Sequence, residues 1–295
     1  MLMITCWGTR GSIPVSGAQF ENHGGSTTCI EIQALTAEPR GPARIIIDGG
    51  TGLATMANRS TDVIDQALFL QTHVHWDHIQ GYPFFSPFFR PGARFDFLSV
   101  SREGQALEDV LRGQMRRPLF PVALQDLPAE LNFGQLAERG VRRIGGWEIE
   151  WAELCHPSGS TGFRLSYGNH TVVFSGDVEV QMDSRAELVE LARGADLLIM
   201  DAQYFPDEYE ARRGFGHSTP IDAVEVAMEA GVQKLLMTHH HPTHDDRRLQ
   251  EKVKIAQKHA RKNGARYLQV DNARDEMECI IGLSGAGVRA SGGLQ

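Results

Sequence analysis

Seven consecutive residues, Thr72-His73-Val74-His75-Trp76-Asp77-His78, constrain this chain more tightly than any other stretch of it. Three histidines and an aspartate crowd together directly after the apolar run Ala67-Leu68-Phe69-Leu70. A short apolar run of this kind reads as a buried strand, so the polar cluster falls at a strand end. A zinc-like cation takes about four ligands from imidazole nitrogens, carboxylate oxygens or thiolates, with one position left open when it does chemistry. The turn by itself cannot complete a pair of such ions. A two-ion site therefore needs further donors downstream.

Such donors follow. Cys155-His156-Pro157 ends the stretch from Trp147 to Leu154, and Ser175-Gly176-Asp177 follows Thr171-Val172-Val173-Phe174. Thr238-His239-His240-His241 ends the run Lys234-Leu235-Leu236-Met237. In each case a ligand type stands where a β-branched or aliphatic run stops, which is how a sheet delivers side chains to one edge. A lone histidine at a strand end is commonly a structural residue. Four such ends in series form a pattern. Among the three consecutive histidines, alternation from Leu235 and Met237 favours His239.

Two Gly-rich segments near the start, Trp7-Gly8-Thr9-Arg10-Gly11-Ser12 and Gly24-Gly25-Ser26-Thr27-Thr28-Cys29, add to these motifs. So does Gly216-His217-Ser218-Thr219, whose histidine lies 22 positions before His239. In this order, over roughly residues 1 to 283, the motifs resemble the metallo-β-lactamase superfamily of binuclear metallohydrolases. They resemble in particular the branch holding tRNA 3′-end processing ribonucleases and cyclic-phosphate phosphodiesterases. The resemblance implies an α/β chain folded as a four-layer αββα sandwich, in one domain over residues 1–283, with residues 284–295 as a flexible tail. It implies that His73, His75 and His156 hold a first metal, that Asp77, His78 and His239 hold a second, and that Asp177 bridges them. Two divalent ions are expected, with zinc suited to the donor set and manganese or iron compatible. Such a pair lowers the pKa of a shared water from near 16 to about 7, which makes hydroxide available at neutral pH.

Asp77 and His217 are the expected catalytic residues, His217 as hydrogen-bond donor to a phosphoryl oxygen or as acid toward the leaving oxygen. Arg10 and His244 are the expected substrate contacts. One departure stands out. In the tRNA-processing relatives a glutamate three residues before the bridging aspartate orients the catalytic histidine, and Phe174 occupies that position here. The long Gly- and Lys-rich arm of those enzymes also has no counterpart.

Composition narrows the partners. The net charge of −8, from 29 basic and 37 acidic residues, disfavours a surface built to wrap long polyanions. A small phosphodiester, such as a cyclic nucleotide or cyclic sugar phosphate, is the expected substrate. Carboxylic esters, lactones, thioesters or lactams are the alternative class, with tRNA cleavage and a non-catalytic metal sensor behind them. No apolar run approaches the ~18 residues needed to cross a membrane. The N-terminus lacks the basic region of a signal peptide, and Cys6, Cys29, Cys155 and Cys279 show no paired spacing, so a cytoplasmic protein is expected. A homodimer is compatible with this class.

The remaining pattern places helices over residues 59–66, 103–117, 185–193, 219–230 and 249–262. Residues 103–146 are expected to form a cap beside the active-site mouth. The aromatic stretch from Gly81 to Pro91 reads as core packing, with a wall of the substrate pocket as its alternative.

Overall fold

The computed structural model describes residues 1–36, 41–282 and 288–289. Runs that are apolar at every position, such as Ile45-Ile46-Ile47, demand burial on both faces of a strand. The fold provides it with two sheets stacked face to face and helices on both outer sides.

The first sheet contains β1 (Leu2–Gly8), β2 (Cys29–Ala34), β3 (Arg44–Ile47), β4 (Gln66–Gln71), β5 (Arg94–Val100) and β6 (Glu130–Leu136). The second contains β7 (Arg139–Ile144), β8 (Trp147–Leu154), β9 (Ser160–Tyr167), β10 (His170–Phe174), β11 (Leu197–Asp201), β12 (Lys234–Thr238) and β13 (Gln269–Asn272). Two late strands, β14 (Met277–Ile281) and β15 (Val288–Arg289), return to the first sheet beside β1. Its order is β15-β14-β1-β2-β3-β4-β5-β6, and the second sheet runs β13-β12-β11-β10-β9-β8-β7. The helices are α1 (Thr51–Arg59), α2 (Trp76–Ile79), α3 (Leu107–Gln114), α4 (Arg185–Ala192), α5 (Pro206–Tyr209), α6 (Pro220–Glu229) and α7 (Asp246–Lys262).

Three apolar clusters fill the three spaces between four layers. Alternation assigns the residues. In β4, Leu68 and Leu70 face the second sheet with Ile45, Ile47, Trp147 and Phe163. Ala67 and Phe69 face the helices, where Leu53, Met56, Leu107 and Leu111 meet the rings of Tyr82, Phe85 and Phe88. In β12, Leu235 and Met237 pack on Val224, Ala227, Ala256 and Ala260 of α6 and α7, while Leu236 points between the sheets. The aromatic stretch is thus mainly core: Tyr82, Phe85 and Phe88 are fully buried, and Phe84 and Phe89 are exposed.

Three boundaries differ from the sequence reading. The helix expected over residues 59–66 lies one segment earlier, as α1, because Leu53 and Met56 at i and i+3 supply the apolar face and Ser60 ends it. The helix expected over 103–117 is α3, with Leu107 and Leu111 buried. The cap expected over 103–146 does not hold as a unit. Residues 130–136 and 139–144 are the edge strands β6 and β7, paired to β5 and β8, since their backbone groups extend the two sheets. The expectation for 284–295 falls largely outside the described residues, and Val288–Arg289 pairs with β14.

Candidate metal centre and active site

Strand direction decides where the donors go. In the second sheet β10, β11 and β12 are mutually parallel, and β8 reaches the same sense through antiparallel β9. In the first sheet β4 runs parallel to β3 and β5, and β1 reaches that sense through antiparallel β2. The carboxyl ends of β1, β4, β8, β10, β11 and β12 therefore carry the loops that build one site.

Two groups of donors converge there. His73, His75 and His156 form one, and Asp77, His78, Asp177 and His239 form the other, with the ligand atoms of each group within 4.8 Å of one another. Asp177 stands between them. Its Oδ2 lies 3.1 Å from His239, 3.3 Å from His78, 3.6 Å from His73 and 3.9 Å from His156. All seven expected ligands are thus brought together. Cys155 joins neither group, and His240 turns aside, with its Nε2 2.8 Å from the Ala273 carbonyl.

The arrangement fits cations. Imidazole nitrogens of different residues face one another, His156 Nε2 and His75 Nδ1 at 3.0 Å, and His78 Nε2 and His239 Nε2 at 3.4 Å. His73 Nε2 is buried without a hydrogen-bond partner. Lone pairs converging in this way call for a shared positive charge. Burial pushes the His73 imidazole well below its usual range and takes His156 down to about 4, so both are neutral donors. Burial likewise opposes protonation of His78 and His239. Asp177 and Asp77 outweigh it and raise both histidines, while Asp77 and Asp177 themselves, despite burial, are held well below the carboxylate range by these imidazoles. Positive charge is what this pocket is built to hold.

Outer partners orient the ligands, as is usual at metal sites. Asp48, fully buried at the exit of β3, accepts from His78 Nδ1 at 2.7 Å and from the Thr72 hydroxyl at 2.8 Å. His156 Nδ1 donates to the Gly216 carbonyl at 2.8 Å. The Ser12 amide donates to Asp77 at 2.7 Å. Gly11 must be glycine, because a Cβ there would stand 2.3 Å from His239 Nδ1. Gly216 is under the same constraint, with φ of +88° and a Cβ position 2.1 Å from His156 Nδ1.

His217 is buried between the two donor groups. Its ring stacks on His239 at 4.8 Å and lies 5.2 Å from His156. Its Nδ1 donates to Asp201 Oδ2 at 2.8 Å. The orienting carboxylate that Phe174 seemed to lack is therefore present, supplied from the end of β11 instead. Asp201 and His217 also lie within 4.8 Å of donor atoms of Asp177 and His239. Both expected substrate contacts require correction. Arg10 is fully buried, and its guanidinium donates to the carbonyls of Gly24 and His244, which ties loops together beneath the site. His244 is 3% exposed with its Nε2 3.1 Å from Glu208, so it presents no face to a substrate.

Sequence reasoning missed Asp48 and Asp201. Both were within reach of the signal already in use, a carboxylate closing an apolar strand, here after Arg44-Ile45-Ile46-Ile47 and after Leu197-Leu198-Ile199-Met200.

The two sheets, their flanking helices and this donor cluster define an αββα scaffold suited to binding metal ions. Residues 43–240 match the model of the beta-lactamase superfamily domain, and the chain belongs to that superfamily of metal-dependent hydrolases. It is 47% identical over 75 residues to ribonuclease Z of Brevibacillus brevis, covering 25% of this chain and 22% of the relative. It is 33% identical over 111 residues to the probable metallo-hydrolase YhfI of Bacillus subtilis, covering 37% of this chain and 43% of the relative. The matches to these curated relatives thus span less than half of their length. The crystal structure of YhfI shares the fold with a TM-score of 0.69 at 18% identity, over 94% of this chain and 99% of that one. Unliganded yeast PDE1 does so with a TM-score of 0.66 at 16% identity, over 94% and 98%. No helix among the described residues is long and apolar enough to cross a membrane.

Proposed function

We propose that this protein is a binuclear metal-dependent phosphodiesterase acting on small phosphodiesters such as cyclic nucleotides or cyclic sugar phosphates. The observation that carries the reading is the Asp201–His217 pair, packed against both donor groups. Hydrolysis of a phosphodiester expels an alkoxide, which needs a proton. In the doubly protonated ring, Nδ1–H donates to Asp201 and Nε2–H is the proton available to the leaving oxygen; giving it up returns the neutral ring with Nδ1–H still on the carboxylate.

His73, His75 and His156 are the proposed ligands of one ion, and Asp77, His78 and His239 of the other, with Asp177 between them. The histidine-rich set suits zinc. Divalent ions held there would supply Lewis-acid chemistry, lowering the pKa of a water and polarising phosphoryl oxygens. The ligands include two carboxylates against five imidazoles, so the loaded centre keeps net positive charge. An anionic phosphodiester gains more from that charge than a neutral ester or lactam does.

The likeness to a ribonuclease favours phosphodiester chemistry, while the net charge of −8 favours a small substrate over an extended RNA. The four cysteines are unpaired, three of them buried, in keeping with a reducing compartment such as the cytoplasm. The test is a substrate panel with zinc-loaded protein: bis(p-nitrophenyl) phosphate, cyclic AMP, cyclic GMP, a lactone and nitrocefin. Turnover should be confined to the phosphodiesters. A lactone or nitrocefin rate exceeding every phosphodiester by orders of magnitude would sink the proposal.

A further inference from the structure

The three-histidine donor group is assembled from both sheets. His73 and His75 follow β4 of the first sheet, and His156 follows β8 of the second. The spacing between those strand ends therefore sets whether three imidazoles reach one ion. Arg102, two residues past β5 of the first sheet and 5% exposed, spans that gap. Its Nη2 donates to the carbonyl of Thr72, the residue before His73, at 3.3 Å, and to the Thr161 hydroxyl of β9 at 2.6 Å. Its Nη1 donates at 2.8 Å to Glu153 of β8, three residues before His156. One guanidinium thus ties the exits of β4 and β5 to strands β8 and β9 of the facing sheet. The Thr161 amide adds a bond to the same Thr72 carbonyl at 3.0 Å.

The His156 loop is fitted to this arginine. Its turn closes through the Gly159 amide, which donates to the His156 carbonyl at 2.8 Å. Gly159 has φ of +78°, and a Cβ there would lie 2.4 Å from Arg102 Nη1 and 2.7 Å from Glu153 Oε1. The turn rests on the ion pair and leaves room for glycine alone. Arg102 is itself fixed by a reciprocal pair of backbone bonds with Gln105, at 3.0 and 2.8 Å. With His73, His75 and Gly159 it lines a single cavity of about 180 Å³.

Stability alone does not account for this side chain. Its Nε is buried without a hydrogen-bond partner. A buried charge with an unpaired N–H is costly where an apolar side chain could pack. The other donor group is oriented by different residues, Asp48 on His78 and the Ser12 amide on Asp77.

We propose that Arg102, paired with Glu153, is a positioning residue for the ion held by His73, His75 and His156, setting the affinity of that half of the centre and not of the other. The inference rests on the ligand assignment proposed above and adds what makes the two ions differ. Loss of an outer partner at a metal site lowers metal affinity by about 10- to 100-fold.

The experiment titrates zinc into the metal-free protein against a chromophoric chelator. Wild type should take up two ions. Arg102→Met should bind one with wild-type affinity and the other about 10- to 100-fold more weakly. Arg102→Lys, which keeps the charge and a donor, should recover part of the loss, and Gly159→Ala should reproduce it. His156→Ala identifies the affected ion: in that background Arg102→Met should change the remaining affinity by less than about 2-fold, because residues that act through one another are not additive. Two ions of wild-type affinity in Arg102→Met, equal weakening of both, or an undiminished effect in the His156→Ala background would overturn the proposal and leave the ligand assignment standing. If circular dichroism shows Arg102→Met unfolded, the lysine and Gly159→Ala variants carry the same test. A wild-type protein that takes up no zinc would overturn the ligand assignment itself, and the role of Arg102 with it.

Discussion

His217 and Asp201 are separated by sixteen positions in the chain and by 2.8 Å in space, and in the proposed mechanism the pair divides the labour of a general acid. The imidazole carries the proton, and the carboxylate chooses the tautomer and supports the charged form. His217→Ala should lower kcat on phosphodiesters by about 10²- to 10⁴-fold. Asp201→Asn should lower it in the same direction, because an amide does not stabilise the imidazolium. Metal analysis of both variants completes the test. Two ions per chain should remain, and loss of one would make His217 a ligand in place of an acid. Arg10 shows the opposite lesson at this scale. A guanidinium in a Gly-rich loop suggests a phosphate contact, yet its neighbours are carbonyl groups, and burial lowers its pKa against the pull of Asp275 and Asp246.

Elements hold the site through a few long side chains. Lys252 of α7 is fully buried and reaches the loop after β11, where its Nζ donates to the carbonyls of Ala202 and, more weakly, Gln203. It thereby ties α7 to the segment that begins at Asp201. Burial lowers its pKa from 10.5 to about 7, with Asp201 and Glu208 opposing the shift. Between those values the unfolded chain binds a proton that the folded protein does not. Stability should therefore rise as pH increases from about 7 toward 10.5, and should be insensitive to this group below about 7. The rise should amount to about 2–5 kcal/mol. Denaturant midpoints measured across pH 7–10 for the wild type and Lys252→Met check it, since the variant should lose that slope. An equal slope in both would show that the lysine keeps its proton when buried.

At the scale of the whole molecule, three apolar clusters hold four layers together, and the donor cluster lies at one end of that stack. None of the donor residues belongs to those clusters, so the core should assemble without the ions. Chelation should leave a cooperatively folded protein with unchanged secondary structure. Zinc at 100-fold above its dissociation constant stabilises the folded form by about 2.7 kcal/mol per site. The expected rise in Tm on reloading is about 4 °C per site for a chain of this length, read by calorimetry. Unfolding on chelation, with loss of the circular dichroism signal, would assign the ions a structural role instead.

Much of this architecture was legible in the residues themselves. The turn from His73 to His78, His156, Asp177 and His239 each follow an apolar run, and a strand that ends in a ligand announces itself because burial and coordination demand opposite chemistries. The sandwich was anticipated from the family resemblance, and runs such as Ile45-Ile46-Ile47 and Leu197-Leu198-Ile199 agree with it, because they are buried on both faces of a sheet. What pairing alone decided was which groups meet. Edge strands β6 and β7 have half-exposed, weakly patterned sequences, and only their hydrogen bonds to β5 and β8 distinguish them from a cap. Asp48 and Asp201 gained their roles from the parallel register that sets their carboxylates beside His78 and His217. Arg10 and His244 lost theirs because backbone carbonyls and Glu208 reached them first. Local sequence records the chemistry that each strand end offers, whereas a hydrogen-bond partner is a property of two distant segments, and only the folded chain brings them within three ångströms.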